Sequence, residues 1–317
     1  MHLTESLSNY LVGVPVIHEV AAGIATEYFN EISDKNKALA LVTAGPGVTN
    51  IVTAISGAWL ESRELLVIGG QVKTSDLATD ALRSRGIQEV NGVELLSSTC
   101  KVSKRIDNPL DAVDFYALVS QSWLPRKGPV FLEIPLDVQA AIVDDEDVIE
   151  FTKPVLPIAS DSNLDVVIEH YRCSERPILL IGGGVSYGVA VSLQDRMNAL
   201  ALPIMTTYNG ADRVDGGADY YLGRPNTWGQ RSSNILIQQA DLIIAVGTRL
   251  GLQQTGFNWQ EFGRNAYVVQ IDLDQSELDK GHPIIDLGLC VDGNDFLTRF
   301  MCQELPRKAD WLAFAKY

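Results

Sequence analysis

The sequence predicts an α/β protein made of two parallel-sheet domains, and three observations carry that prediction. Apolar runs at residues 65–70, 177–181 and 242–246 are continuous rather than alternating, as strands buried on both faces are. Each run stops at a glycine or polar turn and hands over to a helical pattern, the βαβα order of a parallel sheet. An acidic, proline-bearing stretch at residues 144–161 separates two such sets and cannot itself build a core. The domains are therefore expected at 1–143 and 162–303, with a linker at 144–161 and the start of a second linker at 304–317.

Composition sets the outer limits. A chain of 317 residues, 46% hydrophobic and 21% charged, can bury two cores of ordinary size. A net charge of −15 without a basic cluster argues against nucleic acid as a partner. Four cysteines, Cys100, Cys173, Cys290 and Cys302, have neither metal spacing nor the density of a disulfide framework. Free, mostly buried thiols and a reducing, cytoplasmic setting are expected. No apolar run approaches the roughly 20 residues of a membrane span.

In chain order, residues 1–11 read as an amphipathic helix whose Met1, Leu3, Leu7 and Leu11 need a sheet to lie on. Residues 14–19 read as a strand ending in His18 and Glu19, followed by an Ala-rich helix to Ile32. A second strand at 38–43 runs into Ala44-Gly45-Pro46-Gly47-Val48-Thr49-Asn50 and a helix to Glu61. Ligands of parallel sheets bind beyond the carboxyl ends of the strands, and Glu19 and the 45–50 turn would meet there. Taken alone, Glu19 reads first as a helix-capping glutamate that favours the positive end of a helix dipole, and only its combination with the neighbouring motifs points to a site. The strand at 65–70 ends in Gln71-Val72-Lys73. A polar segment at 76–89 and an amphipathic helix at 109–124 precede the strand at 130–135, whose Glu133 reads as structural.

The second domain opens with a helix at 163–173, capped by Asp161 or Ser162. A strand at 177–181 ends in Gly182-Gly183-Gly184, and a helix runs to Ala201. A strand at 203–207 leads to a long loop through Tyr220, then a helix at 233–240 and a strand at 242–246 ending in Gly247-Thr248-Arg249. The last of four strands, 266–271, ends in Asp272, and a helix at 294–303 closes the domain. Glycines at a helix start let backbone N–H groups approach an anion. A nicotinamide site would also want an acidic residue at the end of the next strand. That strand ends in Thr206-Thr207-Tyr208-Asn209, so a dehydrogenase is the weaker reading.

The combination of His18-Glu19 before an Ala-rich helix, then Thr43-Ala44-Gly45-Pro46-Gly47-Val48-Thr49-Asn50, then Gly70-Gln71-Val72-Lys73, resembles thiamine-diphosphate-dependent enzymes of the acetolactate synthase type. Gly128-Pro129-Val130 with the Ile134-Pro135-Leu136-Asp137-Val138 strand end resembles the same family. The resemblance implies a pyrimidine-type domain followed by a Rossmann-like central domain. It implies that Glu19 hydrogen-bonds the aminopyrimidine ring nitrogen and promotes the imino form, with His18, Gly45, Pro46, Gly47 and Asn50 around the ring and Gln71 and Gln88 beside the pocket. The reaction implied is decarboxylation of a 2-oxo acid, followed by addition to a second carbonyl or protonation.

For the second domain the resemblance implies an FAD site. Gly182, Gly183 and Gly184 would meet the diphosphate, Thr207, Tyr208 and Asn209 the flavin side, Gly247, Thr248 and Arg249 the phosphates, and Asp272 the adenosine end. The family's flavin-binding members follow the Gly-x-Arg turn with acidic residues and a second arginine, whereas this chain has Leu250-Gly251-Leu252-Gln253-Gln254-Thr255-Gly256. The other reading is a nucleotide fold kept as a spacer. Aromatic loops at 223–229 and 255–262 would line a site or an interface.

The family holds the diphosphate through Mg²⁺ in a third domain, at Gly-Asp-Gly followed by Asn. Val291-Asp292-Gly293-Asn294 looks superficially similar but is read as following no matching strand, with no such Asn at the right distance. The chain is accordingly read as lacking segments at both ends, with a sheet edge or gap in its first domain. A homodimer, a homotetramer or a separate diphosphate-domain subunit is the implied assembly. The opposing class of function is a non-catalytic fragment that binds FAD or a nucleotide, or only dimerises.

Overall fold

The computed structural model of the protein describes residues 2–33, 35–79, 81–143, 149–150, 152 and 154–316. The chain divides into two compact units, Met1–Pro154 and Val155–Tyr317. The acidic run 144–147, read above as the heart of the linker, lies outside the described residues, as does Met1.

The first unit runs α1 (His2–Ser8), α2 (Glu19–Ile32), β1 (Ala40–Val42), α3 (Pro46–Glu61), β2 (Leu65–Gln71), α4 (Gly92–Leu96), β3 (Val102–Arg105), α5 (Ala112–Val119), β4 (Pro129–Pro135) and α6 (Leu136–Gln139). Its sheet is entirely parallel in the order β1-β2-β4-β3. Strands β2 and β4 pair from Leu65–Pro129 to Gln71–Pro135 and form its spine. Helix α3 begins with Pro46, whose missing N–H would have had no intrahelical partner there. Its Val48, Ile51, Ala54, Ile55 and Ala58 recur at helical spacing and pack with Leu65, Val67 and Phe131. Ile68, Val130 and Leu132 face the other way, against Ile106 and Val119.

Three expectations are corrected here. Residues 14–17 form no strand: they lie outside every ladder among the described residues and are exposed, Ile17 fully. Pro15 has no N–H to donate, and the edge strand β1 pairs only with β2. The helix at 109–124 is shorter, starting at Ala112 behind an Asp111 cap and ending in a 3₁₀ turn, Ser120–Ser122. Strand β3 was not foreseen, because an edge strand reading Val-Ser-Lys-Arg has no apolar run. The opening helix α1 buries no residue, though Leu3 packs against the Ile68 cluster.

The second unit runs α7 (Asp161–Cys173), β5 (Pro177–Ile181), α8 (Tyr187–Ser192), α9 (Gln194–Leu200), β6 (Ile204–Thr206), α10 (Arg231–Gln239), β7 (Leu242–Val246), α11 (Leu252–Thr255), β8 (Tyr267–Asp272), α12 (Gln275–Asp279), β9 (Leu287–Cys290), α13 (Gly293–Met301) and α14 (Ala309–Ala315). Its five-stranded sheet is parallel in the order β6-β5-β7-β8-β9. The chain order reverses between β5 and β7, where such sheets open a crevice. Strand β9 is a fifth strand, short and at the edge, where the sequence reading counted four, and Val291-Asp292-Gly293-Asn294 follows it. Helix α7 is capped by Ser160, whose hydroxyl accepts the Asn163 N–H at 3.2 Å, rather than by Asp161 or Ser162. The helix expected to reach Ala201 is divided into α8 and α9.

All four cysteines are free, but only Cys100 is buried; Cys290 is half-buried, and Cys173 and Cys302 are exposed. No described helix is long and apolar enough to cross a membrane.

At the amino end of β2, Arg63 gathers three carboxylates: Glu61 at 2.8 Å, Glu27 at 3.2 Å and Glu31 at 3.9 Å. Glu27, 4% exposed, is pushed up to about 7, because burial outweighs the pull of Arg63 and the neighbouring Glu61 and Glu31 add to the rise. A carboxyl with a raised folded pKa binds its proton more tightly folded than unfolded. Its contribution to stability is complete below the unfolded value of 4.5 and is lost as pH rises to about 7. Thermal melts across that window should show Tm falling by roughly 3 to 6 °C and then levelling, and Glu27→Gln should flatten the slope.

Candidate functional site

Glu19 is the first residue of α2. It is a helix-start residue and not the end of a strand, and it is half-buried. His18 caps the helix, its Nδ1 accepting the Val20 N–H at 3.2 Å, and this fixes the backbone from which the Glu19 side chain departs. Asn50, in the second turn of α3, donates its amide N–H to Glu19 Oε2 at 3.0 Å. That bond, with the Glu19 N–H and His18 behind it, holds the Glu19 carboxyl below the usual carboxylate range against a small opposing effect of burial.

The Gly45-Pro46-Gly47 turn stands beside this pair. Gly45 has φ +64°, and a Cβ there would lie 2.2 Å from the Gln88 carbonyl oxygen, so only glycine fits. A Cβ at Gly47 would enter the space between Thr43 Cγ2, at 3.0 Å, and Glu19 Oε1, at 3.7 Å. The turn thus keeps a narrow space clear next to an ionised carboxylate oxygen. Gln88, far away along the chain, is brought against Gly45, itself with φ +57° and exposed. Gln71 faces inward instead: its amide donates to the Val90 carbonyl at 3.0 Å, and its side-chain oxygen accepts the Val72 N–H at 2.9 Å.

Two organising residues escaped sequence reading. Glu89 accepts N–H groups from Ala78, Arg85 and Gly86 at 2.6, 2.7 and 2.8 Å and so folds the loop that presents Gln88. Burial alone would raise its carboxyl, and the three donors outweigh that and hold it below the usual range. In the second unit Arg213 is buried at 1% exposure. It donates to the Val185 carbonyl at 2.5 Å and to Asp212 at 2.6 Å, beneath the glycine-rich loop. An arginine in Ala-Asp-Arg-Val carries no sequence signal for burial.

The second unit places its sequence-flagged residues at the carboxyl ends of four neighbouring strands. Gly182, Gly183 and Gly184 follow β5, Thr207, Tyr208 and Asn209 follow β6, Gly247, Thr248 and Arg249 follow β7, and Asp272 ends β8. A Cβ on Gly183 would lie 3.2 Å from Asn209 Cβ. The Gly182 N–H donates to the Val246 carbonyl and the Gly184 N–H to the Gly247 carbonyl, both at 2.9 Å, so these amides are engaged by β7. Gly247, at φ +62°, meets Gly184 backbone to backbone. Gln270 is fully buried and donates to the Thr248 carbonyl at 3.0 Å, bracing the turn that exposes Arg249. Asp272 accepts the Asp274 N–H at 3.0 Å.

The aromatic loops are laced together. The Thr227 N–H donates to the Gln253 carbonyl at 2.9 Å, and Asn234 ties Asn226 at 3.0 Å, leaving Trp228 and Phe257 almost fully exposed. Val291-Asp292-Gly293-Asn294 is a helix cap, Asp292 accepting the Asn294 N–H at 3.0 Å. Among the described residues no cluster of His, Cys, Asp or Glu is arranged to hold a metal ion.

Two parallel α/β units, one with a carboxylate–amide pair beside a glycine turn and the other with a glycine crevice at a switch point, define a cofactor-binding α/β class. Residues 1–95 match the thiamine pyrophosphate enzyme N-terminal TPP binding domain, and residues 164–300 match the thiamine pyrophosphate enzyme central domain. The chain belongs to the thiamine pyrophosphate enzyme family. It is 30% identical over 93% of its length to the acetolactate synthase isozyme 1 large subunit of Escherichia coli, covering 51% of that protein. It is 28% identical over 95% of its length to a probable acetolactate synthase large subunit of Methanocaldococcus jannaschii, covering 52% of it. The chain thus spans about half the length of the curated relatives it matches.

If the Asn50 amide is what lowers the Glu19 carboxyl, Asn50→Ala should raise its titration midpoint towards that of an ordinary glutamate. A carbon-detected NMR titration of Glu19 reads this directly.

Proposed function

We propose that this chain provides the aminopyrimidine-binding half of a thiamine-diphosphate-dependent enzyme of the acetolactate synthase type, acting on a 2-oxo acid. The observation that carries the reading is the ionised Glu19 carboxylate, tethered by Asn50 and facing the space that Gly47 leaves open. The residues fit the group: a flat heteroaromatic ring can lie against the glycine turn, with a ring nitrogen within reach of Glu19. Thiamine diphosphate, when bound, supplies the carbanion chemistry that side chains cannot. Glu19 then holds the proton of that ring nitrogen, an ionised oxygen being the stronger acceptor. Asn50 keeps the carboxylate oriented, Pro46 offers a rigid apolar edge to the ring, and His18 fixes the first turn of α2. Gln88, pressed against Gly45, is placed to offer its amide to the cofactor or substrate.

The crevice of the second unit is the proposed FAD site, with Arg249 as anion partner, Thr207, Tyr208 and Asn209 along the flavin side, and Asp272 at the adenosine end. Because the Gly182 and Gly184 amides are already engaged, Gly183 and Arg249 would carry the phosphate contacts. A diphosphate- and Mg²⁺-binding segment, from the same or another polypeptide, would complete the catalytic centre, in a dimer or tetramer.

Isothermal titration with thiamine diphosphate tests the first unit. Saturable binding is expected, weakened about tenfold by Glu19→Gln, the loss of one charge-assisted hydrogen bond; equal binding by both proteins would discard Glu19 as the ring partner. For the second unit, purification with added FAD should give a yellow protein that loses its flavin in Arg249→Ala. A colourless wild-type protein rejects the flavin site.

A further inference from the structure

Among the described residues Arg213 is the largest fully buried side chain, and it ends the 3₁₀ turn Tyr208–Arg213 that follows β6. A guanidinium in a core is costly unless its donors find acceptors. A methionine would fill much the same space without that cost. Each nitrogen of Arg213 has a partner: Nε donates to the Val185 carbonyl at 2.5 Å, one terminal nitrogen to the Gly183 carbonyl at 3.4 Å, and the other to Asp212 at 2.6 Å. Two of these three bonds go to the main chain of the loop that leaves β5.

The other polar groups of that loop, residues 182–186, can be followed one by one. The Gly182 N–H donates to the Val246 carbonyl and the Gly184 N–H to the Gly247 carbonyl, both at 2.9 Å, and the Val185 N–H turns back to the Gly182 carbonyl at 3.2 Å. Asn294, in α13, accepts the Ser186 N–H at 2.7 Å and donates to the Gly184 carbonyl at 3.5 Å. Among these residues one N–H is left without an acceptor in the described structure, that of Gly183. In a trans peptide the N–H points away from the carbonyl before it. The Gly182 carbonyl is turned into the loop, so the Gly183 N–H points out of it. The next peptide joins two glycines, whose own sterics do not fix its direction. Arg213 on its carbonyl and Gly247 on its N–H do. The turn that Arg213 ends lies alongside: a Cβ on Gly183 would be 3.2 Å from the Asn209 carbonyl oxygen, and a Cβ on Gly210 would be 2.7 Å from that of Ile181.

We propose that Arg213 is a positioning residue of the crevice: by holding the Gly183 and Val185 carbonyls it orients the glycine loop so that the Gly183 N–H stays free to meet one oxygen of a diphosphate. That the crevice takes a diphosphate rests on the reading of the second unit proposed above; the orientation of the loop does not. Arginine suits the task because its planar fork spreads donors over two carbonyls. Lysine has a single donor nitrogen, and methionine has none.

Amide exchange by NMR on the full chain with isotope-labelled glycine tests this, with Arg213→Met and Arg213→Lys beside wild type and ADP titrated into the same preparations. In wild type the Gly183 amide should exchange about tenfold faster than those of Gly182 and Gly184, the protection one hydrogen bond gives, and its resonance should move as ADP is added. Arg213→Met should speed Gly184 exchange and weaken ADP binding, each about tenfold for one lost tie, with the glycines of the first unit unchanged. Arg213→Lys should fall between. A wild-type Gly183 amide as slow as that of Gly184 overturns the proposal, and so does wild-type protection of Gly184 in Arg213→Met. Equal loosening at Gly288, in β9, would make Arg213 a general core residue and overturns it too. Should Arg213→Met fail to fold, Arg213→Lys decides alone, and an unchanged Gly184 there is the overturning result. Wild-type protein whose glycine resonances respond neither to ADP nor to FAD removes the diphosphate reading of the crevice, while the exchange rates still judge the role of Arg213.

Discussion

The first unit turns on one hydrogen bond between helices, from the Asn50 amide to the Glu19 carboxylate. It joins the first residue of α2 to the second turn of α3, and both helices start at the same rim. Around it the backbone has little freedom: His18 closes the start of α2, Pro46 opens α3, and Gly45 takes a conformation that a side chain would forbid. The carboxylate can stay ionised while half-buried because these contacts come from the chain itself. In the proposed enzyme that ionised oxygen is what a ring nitrogen would meet.

Much of this was legible in the sequence, for definable reasons. Strands buried on both faces write themselves as apolar runs, and β2, β4, β5 and β7 were read at or near their true bounds. Two edge strands were missed, β3, which reads Val-Ser-Lys-Arg without an apolar run, and β9, which has only four residues, and residues 14–19 were read as a strand although none of the described residues pairs with them. A strand is a property of its neighbour as much as of its own residues. Glu19, Gly45, Gly47 and Asn50 lie in two compact sequence motifs, and the fold brings those motifs into contact.

The residues that escaped notice work over longer spans. Glu89 gathers three N–H groups of its own loop, and Arg213 braces a loop nearly thirty residues before it. A polar residue whose partners are backbone groups leaves no pattern of residue types to recognise. The cysteines show the converse error: composition suggested burial, and the helix ends that carry Cys173 and Cys302 leave them exposed.

The crevice between β5 and β7 has a floor of bare main chain, since Gly182, Gly184 and Gly247 meet with no room for any side chain. Its width is therefore set by peptide geometry and cannot be tuned by substitution. In the proposed FAD site, ligand preference could therefore change only at the walls, at Tyr208, Arg249 and Asp272, because a side chain on the floor would push the two strand ends apart.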